Sequence, residues 1–243
     1  MNLEKCTWLN DIFKTINFDN LPHGIIINGP SGVGKHILAN KICEYIILNN
    51  SQRSSDDHKH LIKTESHPDF YVLDKDKLGV NDISRRKGAK NWDDEKGFRD
   101  VISFLNLTPS LAKNKVVLIH NADIMTNEAQ NALLKSLEEP ASFSYIIMTT
   151  NRPRSLNQTI YSRCQLLNIK NLTTNQINDW LSDIGITEYT AIDFPSFATP
   201  FNILEDIQND NHNSYKDFVT FIEAFLFNKS DQTQTLKDIN DIN

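Results

Sequence analysis

Gly24-Ile25-Ile26-Ile27-Asn28 runs straight into Gly29-Pro30-Ser31-Gly32-Val33-Gly34-Lys35, and this junction decides the fold. The first five residues are mostly β-branched and apolar, the pattern of a strand buried on both faces. The next seven fit G-x-x-x-x-G-K. After Lys35 the pattern turns helical, with Ile37, Leu38, Ile42, Cys43, Tyr45 and Ile46 recurring at three- and four-residue steps. Strand, glycine-rich loop and helix in that order make a phosphate cradle. Glycines let backbone amides curl around phosphate oxygens, the helix N-terminus adds a favourable field, and Lys35 is a point charge for the outer phosphates. The candidate nucleotide-binding residues are Gly29, Pro30, Ser31, Gly32, Val33, Gly34, Lys35 and His36. A chance glycine-rich turn is the blander explanation, but it does not call for a strand before it and a helix after it.

Two positions depart from a working P-loop ATPase. The motif wants Ser or Thr after the lysine to ligate magnesium through a hydroxyl, and the residue here is His36. Magnesium prefers oxygen ligands in a tight octahedron, so an imidazole is a poor substitute. Such ATPases also end an apolar strand in an Asp that serves the metal, often followed by a Glu that polarises the attacking water. Here Val116-Val117-Leu118-Ile119 ends in His120-Asn121, and neither is a carboxylate. Asn121 cannot take a proton as a general base must. Asp123 lies close by and could substitute, although a helix N-cap or turn role is the commoner one for such a residue. No required cofactor follows from this pattern; ATP or ADP binding is expected to be weak.

Further strands are predicted at Phe70–Leu73, Lys115–Ile119 and Ser144–Thr150, with helices around 98–106 and over 127–138, the latter stopped by Pro140. Strands alternating with helices imply an α/β protein with a parallel sheet and helices on both faces. Residues 49–66 are polar and aperiodic and read as a loop on which His58 and His60 are solvated. Residues 84–97 read as a charged, solvated insertion. The N-terminal twenty residues read as a short amphipathic helix without the apolar core of a signal peptide. After about residue 165 short helices are expected over 173–184 and 189–207. A longer one over 214–228 would carry Phe218, Phe221, Ile222 and Phe225 on one face, and the tail beyond Asn228 is polar.

Composition narrows the function classes. The 243 residues hold 25 Lys+Arg against 31 Asp+Glu, a formal charge of −6, which argues against nucleic-acid binding by bulk charge. The clusters Arg85-Arg86-Lys87 with Lys90, and Arg152 with Arg154, could approach phosphates, but a solvated face is the commoner role. Cys6, Cys43 and Cys164 are far apart and include no C-x-x-C pair, so neither a disulfide framework nor a structural zinc is expected. No apolar run approaches the ~20 residues of a membrane span, and a cytoplasmic location is expected.

Four further segments carry a family resemblance: Leu21-Pro22-His23-Gly24, His67-Pro68-Asp69-Phe70, Asn131-Ala132-Leu133-Leu134-Lys135-Ser136-Leu137-Glu138-Glu139-Pro140 and Ser162-Arg163-Cys164. In this order and spacing, over about residues 5–205, the chain resembles bacterial clamp-loader subunits of the AAA+ class. It is more similar to the delta-prime type of DNA polymerase III than to the gamma/tau motors. The resemblance implies a P-loop, RecA-like core over 1–166, a helical lid over 167–207, and a reduced or truncated helical collar over 208–243. It implies that Arg163 acts in trans as an arginine finger toward a neighbour's ATP site, projecting to solvent from its own subunit. Thr150 and Asn151 fall where the family senses the γ-phosphate. Phe201 stands where motors carry a second sensor arginine. The four-cysteine zinc module of many such subunits has no counterpart here. Together these features imply a non-catalytic stator whose partners are gamma/tau and delta subunits, with the sliding clamp and primed DNA met through the assembly. The alternatives are an active gamma/tau-like ATPase and, more distantly, a P-loop nucleotide kinase.

Overall fold

In the computed structural model the described residues are 3–49, 51, 54–84, 100–209 and 212–227. The chain divides into two compact units, one of residues 1–30 and 34–170, the other of 31–33 and 171–243. The first unit is built on Gly24–Asn28 (β1), Phe70–Leu73 (β2), Lys115–Ile119 (β3), Ser144–Thr150 (β4) and Gln165–Asn168 (β5). All neighbours are parallel and the order is β2-β3-β4-β1-β5, with Ile26 of β1 level with Met148 of β4 and Leu166 of β5. Four strands have the bounds that their apolar runs predict. β5 is an addition: it is a short edge strand with only two apolar residues, one of them exposed, so no buried run announces it.

The helices of this unit are Thr7–Lys14 (α1), Lys35–Leu48 (α2), Ser55–Lys63 (α3), Val80–Ile83 (α4), Val101–Leu105 (α5), Asn127–Glu138 (α6) and Gln158–Tyr161 (α7). Side chains alternate across a strand. Ile26, Val117, Ile119, Ile146 and Met148 share a cluster with Phe104 of α5 and Ala129, Leu133 and Leu137 of α6. Their alternates Ile25, Ile27, Val116, Leu118 and Ile147 are buried on the other face, where α2 packs with Leu38, Ile42, Cys43 and Ile46. Each such aliphatic side chain contributes about 1.5–3 kcal/mol by leaving water. α6 starts where Thr126 accepts the Ala129 N–H, and stops before Pro140 as expected.

The segment 49–66 is not a loop throughout, because it contains α3. Ser54 caps it by accepting the Asp57 N–H, Asp56 and Asp57 lie in the first turn, and His60 and Lys63 in the last. These charges suit the helix dipole, and they hide the helix from a search for an apolar stripe. His58 is likewise not solvated but fully buried, while His60 is exposed. Nδ1 of His67 accepts the Asp69 N–H at 3.0 Å, so a neutral His67 carries its proton on Nε2 and donates it to His58 Nδ1 at 2.8 Å. That leaves the His58 proton on Nε2, facing Ser51 Oγ. The chain of imidazoles ties α3 to the start of β2.

Asp69, the next polar residue of that segment, is also buried. Its carboxylate accepts the N–H groups of Ser110, Leu111 and Ala112 at 2.6–2.8 Å and lies 3.5 Å from Lys115 Nζ, which sits 4.1 Å from the Phe104 ring centre. The His-Pro-Asp-Phe segment therefore builds the base of the sheet. The charged stretch with Arg85, Arg86, Lys87 and Lys90, and the tail beyond Asn228, lie outside the described residues.

The second unit contains Thr174–Asp183 (α8), Pro200–Gln208 (α9) and His212–Leu226 (α10). Thr173 and Gln176 form a reciprocal capping box at α8, and Pro200 opens α9, where its missing N–H costs nothing. Of 189–207, only the short turn Ala191–Asp193 and α9 are helical. The rings of Trp180 and Phe201 pack tilted by 51°, with 5.4 Å between ring centres. On α10, Phe218 is exposed, and Phe221, Ile222 and Phe225 are half-buried.

Candidate functional site

The glycine-rich loop leaves β1 at the C-terminal edge of the sheet. Gly29 donates its N–H to Thr150 O of β4 at 3.3 Å, which fixes where the loop begins. Gly32 and Gly34 have φ of +72° and +87°, a region open to glycine at little cost. Gly34 is the N-cap of α2 and offers no side chain to the first-turn amides. Lys35 is buried, and its ammonium donates to Gly29 O at 2.9 Å and to Pro30 O at 2.5 Å, so it spans the carbonyls of its own loop. Burial lowers its pKa to about 8, opposed by the charge of Asp123, and at pH 7 it remains mainly an ammonium.

Within the second unit, the carbonyls of Ser31 and Gly32 are held by the start of α9. Thr199 Oγ1 donates to Ser31 O at 2.8 Å and the Phe201 N–H donates to Gly32 O at 2.9 Å. A Cβ on Gly32 would fall 2.0 Å from Asn202 Oδ1 and 2.1 Å from Thr199 Oγ1, so the loop admits no larger residue there without rearrangement. Phe201 offers a backbone donor where the motor pattern has an arginine side chain.

His36 in the first turn of α2 and His120 just past β3 line one cavity of about 530 Å³, with Lys41, Glu44, Lys63 and Glu65 also on its wall. Burial lowers the pKa of His36, and the nearby His120 and Lys35 lower it further. Burial also lowers that of His120, against the pull of Asp74 and Glu65. Both are neutral imidazoles at pH 7, nitrogen donors at the positions where magnesium needs oxygen. The imidazoles of His36 and His120 do not fit a magnesium ion, which needs oxygen ligands. Among the described residues no three His, Cys, Asp or Glu side chains are grouped as a metal site requires.

The ends of β3 and β4 are joined by a polar network. Asn121, in the left-handed region at φ +48°, donates its N–H to Thr149 Oγ1 at 3.1 Å and accepts from Asn151 Nδ2 at 2.9 Å. The Asn151 N–H donates to Asp123 Oδ1 at 3.0 Å. Asp123 is therefore neither an N-cap nor free: it lies in the short turn Ala122–Ile124, whose N-cap is Asn121, and its carboxylate holds the β4 end. Of the two sensor-like residues only Asn151 enters this network. The Thr150 hydroxyl instead serves the following turn, donating to Arg152 O and meeting Ser155 Oγ. Thr149, which no motif marked, supplies the hydroxyl that Asn121 uses.

Arg163 follows α7 and does not project freely to solvent. Its Nη2 lies 2.8 Å from Glu138 Oε1 at the end of α6, and Nη1 donates to Thr159 O at 2.9 Å and Ser162 Oγ at 3.2 Å. The two charged side chains are 35% and 48% exposed, so the pair is reachable from solvent. Glu138 stands inside the Leu-Glu-Glu-Pro segment, but its pairing is a product of packing.

No helix among the described residues is long and apolar enough to cross a membrane. The sequence model of the family described as DNA polymerase III, delta subunit, matches residues 6–173. The delta-prime subunit of Haemophilus influenzae is 29% identical over 238 residues, covering 92% of this chain and 68% of the relative. That of Escherichia coli is 31% identical over 152 residues, 59% of this chain and 41% of the relative. The gamma/tau subunit of Mycoplasma genitalium is 30% identical over 187 residues, 75% of this chain but 29% of the relative. The chain thus spans from about two thirds to less than a third of these curated relatives. With a parallel β2-β3-β4-β1-β5 sheet, a glycine-rich loop after β1 and that match over most of its length, the chain belongs to the DNA polymerase III delta-subunit family, as a clamp-loader subunit of the delta-prime kind.

Proposed function

We propose that this chain is a non-catalytic member of a DNA polymerase III clamp loader. It presents Arg163 to the ATP site of a neighbouring gamma/tau-type subunit and hydrolyses nothing itself. Residues 1–166 are the ATPase-like core, 167–207 the lid, and 208–243 a helical collar segment. Its partners are the motor and delta subunits, and the clamp and primed DNA are met through the assembly. The observation that carries this reading is the pair His36 and His120 with Asn121, which puts two neutral imidazoles and a carboxamide where a metal ligand and a general base are needed. Lys35 and the loop are retained as a fold element that can still hold phosphate.

A second reading, an active motor, is favoured by one observation. Asp123 is close enough to Lys35 to oppose the fall in its pKa, and it is a carboxylate at the β3 end of the sheet. Steady-state phosphate release by the purified chain separates the two. The stator reading expects background rates with or without magnesium. Release that requires magnesium and disappears in Lys35→Ala would overturn it.

A further inference from the structure

We propose that Glu138 is a latch on Arg163: it holds the guanidinium within its own subunit and competes with the neighbour's phosphate for the same donors. The inference rests on the trans role of Arg163 proposed above. A guanidinium recognises an anion by presenting paired N–H donors in one plane. In this structure both terminal nitrogens are engaged inside the subunit, Nη2 with the Glu138 carboxylate at 2.8 Å and Nη1 with Thr159 O and Ser162 Oγ. Glu138 takes one of the two Nη2–H donors, and Thr159 O and Ser162 Oγ take those of Nη1, so a phosphate that needs the paired fork competes with these partners and the finger acts at full strength only once Glu138 releases it.

The fold supplies a reason for each side of the pair. Glu138 is the last residue of α6, where the helix dipole disfavours an anion, and Arg163 is the cation that offsets it. Arg163 in turn donates to the carbonyl of Thr159 in the one-turn helix α7, which also accepts from the Ser162 hydroxyl. The half-exposed setting makes the latch weak, since pairs of this kind bias an equilibrium by at most about five-fold. A latch of that strength restrains the finger in the free subunit and yields when a phosphate is offered. Its neighbour in sequence, Glu139, is the helix C-cap, whereas the carboxylate paired with Arg163 is that of Glu138.

The test is ATP hydrolysis by the assembled loader, stimulated by clamp and primed DNA, with complex formation followed by gel filtration. It compares wild type, Glu138→Gln, Glu138→Asp, Arg163→Ala and the Glu138→Gln/Arg163→Ala double variant. Gln removes an anion from a helix C-terminus while keeping the size of the side chain, and Asp keeps the charge but shortens its reach. Both single Glu138 variants should raise kcat about two- to five-fold at the motor site that Arg163 faces, and total turnover by that site's share, with KM for ATP unchanged. The double variant should match Arg163→Ala. A residue that only braced the fold would alter assembly or KM instead. Glu138 variants at or below the wild-type kcat, beside a reduced rate in Arg163→Ala, would overturn the latch and leave the finger standing. A kcat gain that persists in the double variant would overturn it as well. A wild-type rate for Arg163→Ala in an intact complex would remove the finger, and the latch with it.

Discussion

Acid should loosen the base of the sheet through His67. The imidazole is buried, and its Nδ1 is occupied by the Asp69 N–H while its Nε2–H is donated to His58. Adding a proton would put two donors where one donor and one acceptor are required, inside the protein. Burial accordingly lowers its pKa from 6.5 to about 4, a fall that the Asp69 charge only partly opposes. The sign follows from proton counting. Below pH 6.5 the unfolded chain takes up a proton at His67 that the folded chain refuses until about pH 4, so stability falls as pH falls across that window. Above pH 6.5 the group contributes no pH dependence. The full loss is about 3 kcal/mol, or roughly 1 kcal/mol per pH unit near pH 5.5. This is a large share of a typical stability of about 5–15 kcal/mol. The assay is urea unfolding at pH 7.5, 6.5, 5.5 and 4.5 of wild type and His67→Asn. The Asn amide oxygen can still accept the Asp69 N–H, but it does not titrate. The variant should start about 1–3 kcal/mol less stable, because His58 loses a donor, and its stability should fall less steeply with acid. His36 and His120 have lowered pKa values too and add the same slope to both proteins, so the difference between the curves reports the bonded His58–His67 pair. Parallel curves would refute the reasoning.

Asp69→Asn should destabilise the first unit by about 3–5 kcal/mol, since it leaves the buried Lys115 ammonium without its counter-charge and two or three backbone N–H groups poorly served; a urea midpoint within error of wild type would contradict this. ADP should bind weakly, lose binding in Lys35→Ala, and show nearly the same affinity by titration calorimetry with magnesium or with a chelator. Tight binding that collapses on chelation would contradict the mismatch between His36, His120 and magnesium.

What could be read from the sequence is what a short stretch of chain determines by itself. β1, the loop and α2 are contiguous, and each carries its own pattern, so their bounds and the phosphate cradle were predictable from Gly24 to Lys35. The buried strands β2, β3 and β4 announce themselves as apolar runs for the same reason. β5 borrows its stability from pairing with β1 and shows little of it in its own residues. α3 is held by a serine cap, by charges suited to its dipole and by one buried histidine whose partner is nine residues on, and a hydrophobic pattern registers none of these. The site divides in the same way. His36, His120 and Asn121 could be identified as misfits because the motif is positional. The union of Asn121, Asp123, Thr149 and Asn151 depends on which strands are neighbours. The pairing of Arg163 with Glu138 depends on how α6 and α7 meet.

The central claim is that Arg163 serves an ATPase this chain does not itself possess. The direct measurement is the clamp- and DNA-stimulated ATPase rate of an intact loader carrying Arg163→Ala. The substitution removes a partly exposed ion pair and should cost the fold no more than about 1 kcal/mol, so a loss of rate would not be a loss of structure. The account predicts that the motor site facing Arg163 loses its trans charge at the transition state, an effect that reaches about 10³–10⁵ in GTPases. Total turnover should therefore fall by that site's share, and Arg163→Lys, which lacks the planar fork, should fail to restore it. A wild-type rate in an intact complex carrying Arg163→Ala would contradict the account.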